Sequence, residues 1–291
     1  GSSSNASGLR VEITGWAMPE IPVEGEGEVP PEGEGEGDIW YVNQANSSGI
    51  ENGTSWATAY RDMQTAVDAA ATSGGEVWVA SGTYTGAGTV VLTMRHGVYL
   101  YGGFAGTETA REERNWIVNS TIISGQFARR CVVGADNAVL DGFVISGGRY
   151  GYGGGMINDH ASPAIANCRF ASNYARGGDG ADGCYIGGFG FHGYGGAIYN
   201  TYASPTIINC VFGDNHAIGG QGGDAVCCDQ PAMSGNGGNG MGGAIYNDTG
   251  ASPFIINCTF YNNEAQAGGP GASVPQCIPR LYPYAFGYPG A

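Results

Sequence analysis

Lysine is absent from this sequence, and leucine occurs only five times in 291 residues, whereas glycine is the commonest residue at 55. This composition argues against a helical bundle, because leucine usually fills helical cores and glycine weakens helix interiors. Abundant glycine together with valine, isoleucine, tyrosine and threonine instead suits short strands joined by tight turns.

Other absences narrow the function. No apolar run is long enough to cross a bilayer, so we expect no membrane span. All 11 basic residues are arginine, against 26 acidic residues, and the lack of a basic face argues against a nucleic-acid partner. There is no CxxC pair and the four histidines are scattered, which argues against zinc. The eight cysteines are compatible with an oxidising compartment and predict an extracellular or cell-surface location.

The first 38 residues fall into two parts. In residues 1–23, Leu9, Val11 and Ile13 alternate with charged residues and therefore share one face of a lone strand. Residues 24–38 form a Glu/Gly/Pro linker, called the acidic tether below, which is too flexible and too charged to bury a core. A single tethered strand is not stable alone. It either folds back on its own domain, serves as a stalk segment, or adds to another chain.

Residues 39–291 form the main domain. The opening run Ile39–Val42 predicts a strand, and Thr58 is positioned to cap a helix that runs to about Ala71. A helix placed before the first coil would cover the open end of a solenoid, which needs a cap to shield its terminal hydrophobic layer.

One sequence pattern occurs three times in this domain. It reads Gly-Gly-x-Ile, then Ser-Pro-x-Ile, then Asn-Cys-x-Phe, and it occupies residues 154–173, 195–215 and 242–263. The cysteines of successive copies are 42 and 48 residues apart. An internal repeat of this length is typical of solenoids, in which each copy is one coil.

Residue parity within a copy predicts the shape of the coil. Cys210 and Phe212 share one face, but the repeated Ile207 has the opposite parity, so the chain bends near Asn209. Asparagine tolerates the unusual backbone of such a bend. Each coil therefore has three strands, with coils about 4.8 Å apart. Stacking of the coils aligns the equivalent asparagines in a ladder of Asn167, Asn209 and Asn257.

Glycine-rich insertions at 176–194 and 218–241, and a tail at 266–291, all follow the same point of the coil. We expect them to project from one edge of the solenoid, where such proteins often bind. They hold four cysteines that we predict to form disulfides between neighbouring insertions, with the pairing left open. These cysteines are Cys184, Cys227, Cys228 and Cys277.

Two kinds of modification or ligand site are suggested by residue type. Aspartates in the insertions are candidate Ca²⁺ ligands, and the alternative is ordinary Gly/Asp turn chemistry. They are Asp179, Asp182, Asp224 and Asp229. Asn-x-Ser/Thr triplets mark candidate glycosylation positions on a secreted surface. They begin at Asn5, Asn46, Asn52, Asn119 and Asn247.

The unit from Gly195 to Phe212 resembles the repeats of polymorphic outer-membrane proteins and related bacterial surface proteins. The chain from Ile39 to Ala265 resembles the right-handed parallel β-helix family with pectate-lyase-like architecture. The resemblance implies an all-β, right-handed parallel β-helix with an N-terminal capping helix. It is specific for fold and not for function, because this fold carries lyases, hydrolases, adhesins and structural proteins.

Enzymes of the resembling family act on polysaccharides with motifs that this chain lacks. The lyases use carboxylates that hold Ca²⁺ and a basic residue, and the hydrolases use several aspartates with Gly-His-Gly and Arg-x-Lys. The best carboxylate and imidazole candidates here are Asp136, Asp141, Asp159 and His160. We assign no catalytic residue and predict no required cofactor.

The sequence therefore predicts a non-enzymatic extracellular structural protein. Its β-helix is the body of a filament or surface-layer subunit, and the strand at Leu9, Val11 and Ile13 joins it to a second copy. The alternatives are a polysaccharide-binding or polysaccharide-cleaving protein and a monomeric surface adhesin. The expected partners are other copies of the chain, with polysaccharide or attached glycans as the further candidates.

Overall fold

A computed structural model describes residues 37–226 and 233–273, and the structural statements below concern those residues. The strand predicted at Leu9, Val11 and Ile13, nearly all of the acidic tether, and the tail after Ser273 lie outside the described residues.

Short strands account for most of the ordered secondary structure. In chain order they are β1 (Ile39–Val42), β2 (Gly75–Ala80), β3 (Gly82–Tyr84), β4 (Val90–Thr93), β5 (Val98–Phe104), β6 (Thr121–Ser124), β7 (Arg130–Val133), β8 (Val139–Asp141), β9 (Phe143–Ser146), β10 (Arg149–Tyr150), β11 (Met156–Asp159), β12 (Ala164–Ala166), β13 (Arg169–Ala171), β14 (Tyr174–Arg176), β15 (Gly193–Tyr194), β16 (Ile198–Thr201), β17 (Thr206–Ile208), β18 (Val211–Gly213), β19 (His216–Ile218), β20 (Gly240–Met241), β21 (Ile245–Asn247), β22 (Phe254–Ile256), β23 (Thr259–Tyr261) and β24 (Glu264–Gln266).

These strands form parallel sheets. The first sheet has the order β1-β2-β5-β8-β12-β17-β22, the second β3-β6-β9-β13-β18-β23, and the third β4-β7-β11-β16-β21. A fourth sheet runs β10-β14-β19-β24, and β15 pairs with β20. The chain enters each sheet in turn and returns to it one coil later, which is consistent with the predicted parallel β-helix. The prediction of three strands per coil was incomplete, because the fourth sheet adds another strand to the coils from β8 onward.

The core consists of side chains that stack in register from coil to coil. Phe170 packs against Phe212 with ring centroids 5.0 Å apart, and Phe212 packs against Phe260 at 4.8 Å. Ile207 pairs in register with Ile165 and is fully buried, as is Cys210. Aligned apolar side chains exclude water along the stack, and each buried Ile or Phe contributes about 1.5–3 kcal/mol.

The first repeat copy is offset by one residue from the predicted alignment. The predicted alignment equated Ile157 with Ile198, but the structure places Met156 opposite Ile198 and Ile157 opposite Tyr199. Met156 is fully buried, whereas Ile157 is only partly buried. A one-residue shift exchanges the inward and outward faces of a strand. The 42-residue spacing of the cysteines therefore predicts the pairing of this strand correctly, whereas alignment of the Gly-Gly pairs does not.

The N-terminal helix, α1, spans Met63–Ser73 and begins later than the predicted start at Thr58. Thr58 instead ends a short 3₁₀-helix at Trp56–Thr58. Asp62 caps α1, because its carboxylate accepts a hydrogen bond from the Thr65 N–H at 2.8 Å. The buried face of α1 packs against β1, β2, β4 and β5.

Candidate functional site

The three asparagines of the predicted ladder lie in one row at the bends between the first and second sheets. Asn257 Nδ2 donates to Asn209 Oδ1 at 2.7 Å, and Asn209 Nδ2 donates to Asn167 Oδ1 at 3.4 Å. All three have φ between 48° and 53°, the left-handed region that asparagine adopts more readily than most residues. The row therefore supplies both the bend and a bond to the next coil.

Two further asparagine rows, which were not predicted from the sequence, also join successive coils. Asn173 Nδ2 donates to Asn215 Oδ1 at 3.0 Å, and Asn215 Nδ2 donates to Asn263 Oδ1 at 2.9 Å. Asn173 and Asn215 are fully buried. The same bond, at 2.8 Å, joins the members of the other row, Asn158, Asn200 and Asn247. The signal in the sequence was an asparagine repeated at the coil spacing.

The glycine-rich insertions are ordered arms rather than irregular loops. The outgoing arm of the first insertion, residues 177–183, donates hydrogen bonds from every third N–H to the second insertion. The return arm, residues 187–193, does the same. The donors are Gly177, Gly180, Gly183, Gly187, Gly190 and Gly193, at 2.7–2.9 Å from their acceptors. A repeat of three residues with bonds only to neighbouring arms is the geometry of polyproline II helices packed side by side.

Glycine is required where the arms meet. A Cβ atom on Gly180 would lie 2.1 Å from the carbonyl oxygen of Gly188, and one on Gly223 would lie 2.0 Å from that of Ala181. Side chains occupy the positions that point away from neighbouring arms. Apolar side chains in the first two insertions are strongly exposed, namely Ile186 at 67%, Phe189 at 69% and Met233 at 68%.

Two of the aspartates proposed as Ca²⁺ ligands, Asp179 and Asp182, accept hydrogen bonds from a neighbouring arm. The carboxylate of Asp179 accepts from the N–H of Gln221 at 2.8 Å, and that of Asp182 accepts from the N–H of Asp224 at 2.8 Å. Backbone bonding, with help from Arg176, lowers the pKa of Asp179. Asp229 lies outside the described residues. Within 37–226 and 233–273, no group of three His, Cys, Asp or Glu side chains is arranged to hold a metal ion.

The cysteines divide into core thiols and an oxidised residue. Cys131, Cys168, Cys210 and Cys258 are free. Burial raises the pKa of the Cys131 thiol to about 12. Cys184 is disulfide-bonded. The other members of the predicted disulfide set, Cys227, Cys228 and Cys277, lie outside the described residues, so the pairing stays a prediction.

The candidate catalytic side chains have separate structural partners. Asp136 accepts the N–H of a residue in the next coil at 2.6 Å. Asp141 forms an ion pair with Arg114 at 2.8 Å. Asp159 contacts the Nδ1 of His160 at 2.6 Å on an exposed turn. These contacts serve turns and coil packing.

The asparagines of the described Asn-x-Ser/Thr triplets differ in whether the amide nitrogen or the amide oxygen forms the hydrogen bond. In Asn46 and Asn119 the nitrogen that would carry a glycan donates to backbone carbonyls. In the exposed Asn52 and Asn247 the amide oxygen is the bonding atom. Asn5 lies outside the described residues. A glycosylated nitrogen keeps one N–H, so a glycan at Asn46, whose Nδ2 makes two such bonds, would break at least one of them.

The last described coil leaves core side chains open to solvent. Ile255 is 40% exposed and Phe260 is 48% exposed, whereas the equivalent Ile207 and Phe212 one coil earlier are fully buried. Among the described strands, β22 and β23 each have a neighbour on one side only. Backbone groups along such an edge are available to pair with another strand.

No protein-family model, curated protein or solved structure matches this chain. No helix within the described ranges is long and apolar enough to cross a membrane.

Proposed function

We propose that this chain is a non-enzymatic extracellular structural protein that assembles into a filament or surface layer. The segment containing Leu9, Val11 and Ile13 of one copy adds as a strand to the open coil end of the next copy. The observation that carries this proposal is the exposure of Ile255 and Phe260, which occupy core positions at that end.

The two ends of the coil stack differ in a way that favours head-to-tail assembly. At one end α1 packs against the first strands and, we infer, caps the stack. At the other end, β22 presents an unpaired edge among the described strands. When one surface donates a strand and a different surface accepts it, the contact is heterologous. Such contacts build open filaments when the rotation between successive subunits does not close a ring.

The donor segment has the pattern that this edge requires. Ile165, Ile207 and Ile255 form one inward row in the first sheet. A strand with apolar residues at alternate positions continues such a row and covers it from water. Leu9, Val11 and Ile13 have that alternation.

The fold and location also enter the proposal. We infer that the coils wind as a right-handed, pectate-lyase-like β-helix, and that the oxidised Cys184 belongs to the disulfides that join the insertions. A disulfide fits an extracellular or bacterial cell-surface location.

Polysaccharide binding is the second candidate, supported by the stacked and partly exposed Tyr152 and Tyr194, whose rings are 5.4 Å apart.

Electron microscopy and sedimentation of the 291-residue chain test the strand link. We expect long assemblies from the unmodified chain and monomers after deletion of residues 1–23. Val11→Asp and Ile255→Asp should give the same loss, one in the donor and one in the acceptor. Ile117→Asp is the matched control, because Ile117 is 84% exposed and lies away from the open end. Assemblies that persist unchanged in the deletion variant would contradict the proposal.

A further inference from the structure

Four arginines gather on one side of the coil stack, and we call them the arginine cluster: Arg129, Arg130, Arg149 and Arg176. The Arg149 N–H donates to the Arg129 carbonyl at 2.9 Å, and Arg149 and Arg176 lie on the adjacent strands β10 and β14. Arg149 and Arg176 line an open cavity of about 430 Å³, together with the aromatic rings of Phe127 and Tyr150.

The cluster is short of counter-charges. Elsewhere in the described residues, arginines pair with carboxylates at 2.8 Å, as in Arg95–Asp68, Arg111–Glu76 and Arg114–Asp141. Within the cluster, Arg176 contacts Asp179 at 3.1 Å, while the other three have no carboxylate within ion-pair distance among the described residues.

Arg130 is buried without an anion, and Arg129 is partly buried. Arg130 is 8% exposed, its guanidinium lies 4.1 Å above the Tyr150 ring, and it donates to backbone carbonyls only. Burial lowers its pKa. The Nε of Arg129 is buried and has no hydrogen-bond partner. An unpaired buried charge is costly, so a complementary anion from outside the described residues would stabilise this region.

The chain itself carries a segment of the required charge. Seven of the fifteen residues of the acidic tether are Glu or Asp. In the runs 24–28 and 32–36, glutamate alternates with glycine, so an extended tether places successive carboxylates on one side about 6.6 Å apart. From Ile39 onward, 17 acids and 10 arginines leave a net charge of −7. Assembly therefore brings an acidic tether against an acidic body, and a local positive site is needed to offset the repulsion.

The cluster lies within reach of the open end. In the fourth sheet, β10 and β14 are three and two strands from the terminal β24, or about 10–15 Å at the usual strand spacing. Fifteen extended residues span up to about 50 Å. A tether that follows a strand docked at the open end is therefore long enough to pass over the cluster.

We propose that the arginine cluster of one copy binds the acidic tether of the neighbouring copy. This rests on the proposed strand link, and it adds a second, electrostatic contact to it. The tether carboxylates pair with Arg149 and Arg176 at the mouth of the cavity and provide the counter-charge for Arg129 and Arg130 behind them.

Light scattering of the 291-residue chain measures how much the arginine cluster contributes to the rate of assembly. We expect Arg149→Gln/Arg176→Gln to slow assembly about tenfold in 20 mM NaCl and to weaken its salt dependence. Glu32→Gln/Glu34→Gln/Glu36→Gln should do the same from the donor side. Arg61→Gln/Arg95→Gln removes the same charge elsewhere and should keep the normal rate. Equal rates for the cluster and control variants would overturn the proposal.

Charge-reversal variants test whether the contact between the arginine cluster and the acidic tether joins two copies of the chain. Arg149→Glu/Arg176→Glu alone should assemble poorly, and mixing it with a chain carrying Glu32→Arg/Glu34→Arg/Glu36→Arg should restore mixed assemblies. No recovery on mixing would overturn the proposal. Loss of assembly after deletion of residues 1–23, with normal assembly of the cluster variant, would leave the strand link standing and remove only the electrostatic contact.

A binding assay measures the affinity of the arginine cluster for the acidic tether even in the absence of filaments. Fluorescence anisotropy with a synthetic peptide of residues 24–38 should show binding to the 291-residue chain that weakens at least tenfold in Arg149→Gln/Arg176→Gln. Equal binding to both proteins would overturn the proposal whether or not assemblies form. Binding of an anionic polysaccharide that the peptide fails to displace would assign the cluster to that ligand instead.

Discussion

Asn173 and Asn215 occupy the same position in successive coils and are joined by a hydrogen bond of 3.0 Å between Nδ2 and Oδ1. Both are fully buried, and Asn215 Nδ2 also donates to the Phe170 carbonyl at 3.0 Å. A buried polar row of this kind is favourable only when every member has its partners. The row therefore fixes the register of the coils as well as contributing to stability.

Replacement of Asn215 by alanine should destabilise the fold by about 2–4 kcal/mol, because several buried polar groups in adjacent coils lose their partner. Chemical denaturation of the purified variant measures this change. Asn209→Gly is the matched control, since glycine tolerates the left-handed backbone there and both lost side-chain bonds are solvent-exposed. We expect a change below about 1 kcal/mol for the control. Similar losses for both variants would show that burial of the row has no special role.

Gly223→Ala tests the close packing of the glycine arms. The added Cβ would lie 2.0 Å from the Ala181 carbonyl oxygen, so the arms must separate at a cost of about 1–3 kcal/mol. Thermal unfolding should show a lower Tm, by about 2–4 °C per kcal/mol. In Gly269→Ala the nearest atom is 3.7 Å away, and that variant should unfold like the parent. An unchanged Tm in Gly223→Ala would mean that the arms are loosely packed in solution.

Some features of the fold followed directly from residue spacing. Alternation placed Cys210 and Phe212 on one face and Ile207 on another, and the structure buries all three in aligned stacks. The 42-residue and 48-residue spacings aligned equivalent residues because every coil has the same path between insertions. Burial of one face makes such patterns reliable, since a shifted register would expose the core.

Other features depend on contacts that spacing does not reveal. Glycine at every third residue from Gly177 to Gly183 did not by itself predict an ordered arm, because a single arm of this kind has no bonds of its own and is ordered only beside its neighbours. The arginine cluster joins Arg129 to Arg149 and Arg176 across consecutive coils, and it becomes visible only when the coils are stacked. The site was therefore less predictable than the fold.

The Cys131 thiol makes a specific contribution to the pH dependence of stability. Its pKa is raised by burial from about 9 to about 12 in the folded protein. Between these values the unfolded chain releases the proton and the folded chain keeps it, so stability is fully present below about pH 9 and is lost as the pH rises toward 12. The slope approaches about 1.4 kcal/mol per pH unit for this one group.

Urea unfolding at pH 8, 9, 10 and 11 of the parent and Cys131→Ala isolates this effect. The variant lacks the titrating thiol, so the difference in unfolding free energy between parent and variant should shrink by about 1 kcal/mol for each pH unit above 9. Other alkaline groups act equally on both proteins and cancel in the difference. A difference that stays constant from pH 8 to pH 11 would show that the folded thiol titrates like an exposed one, and that the coil interior at Cys131 admits water.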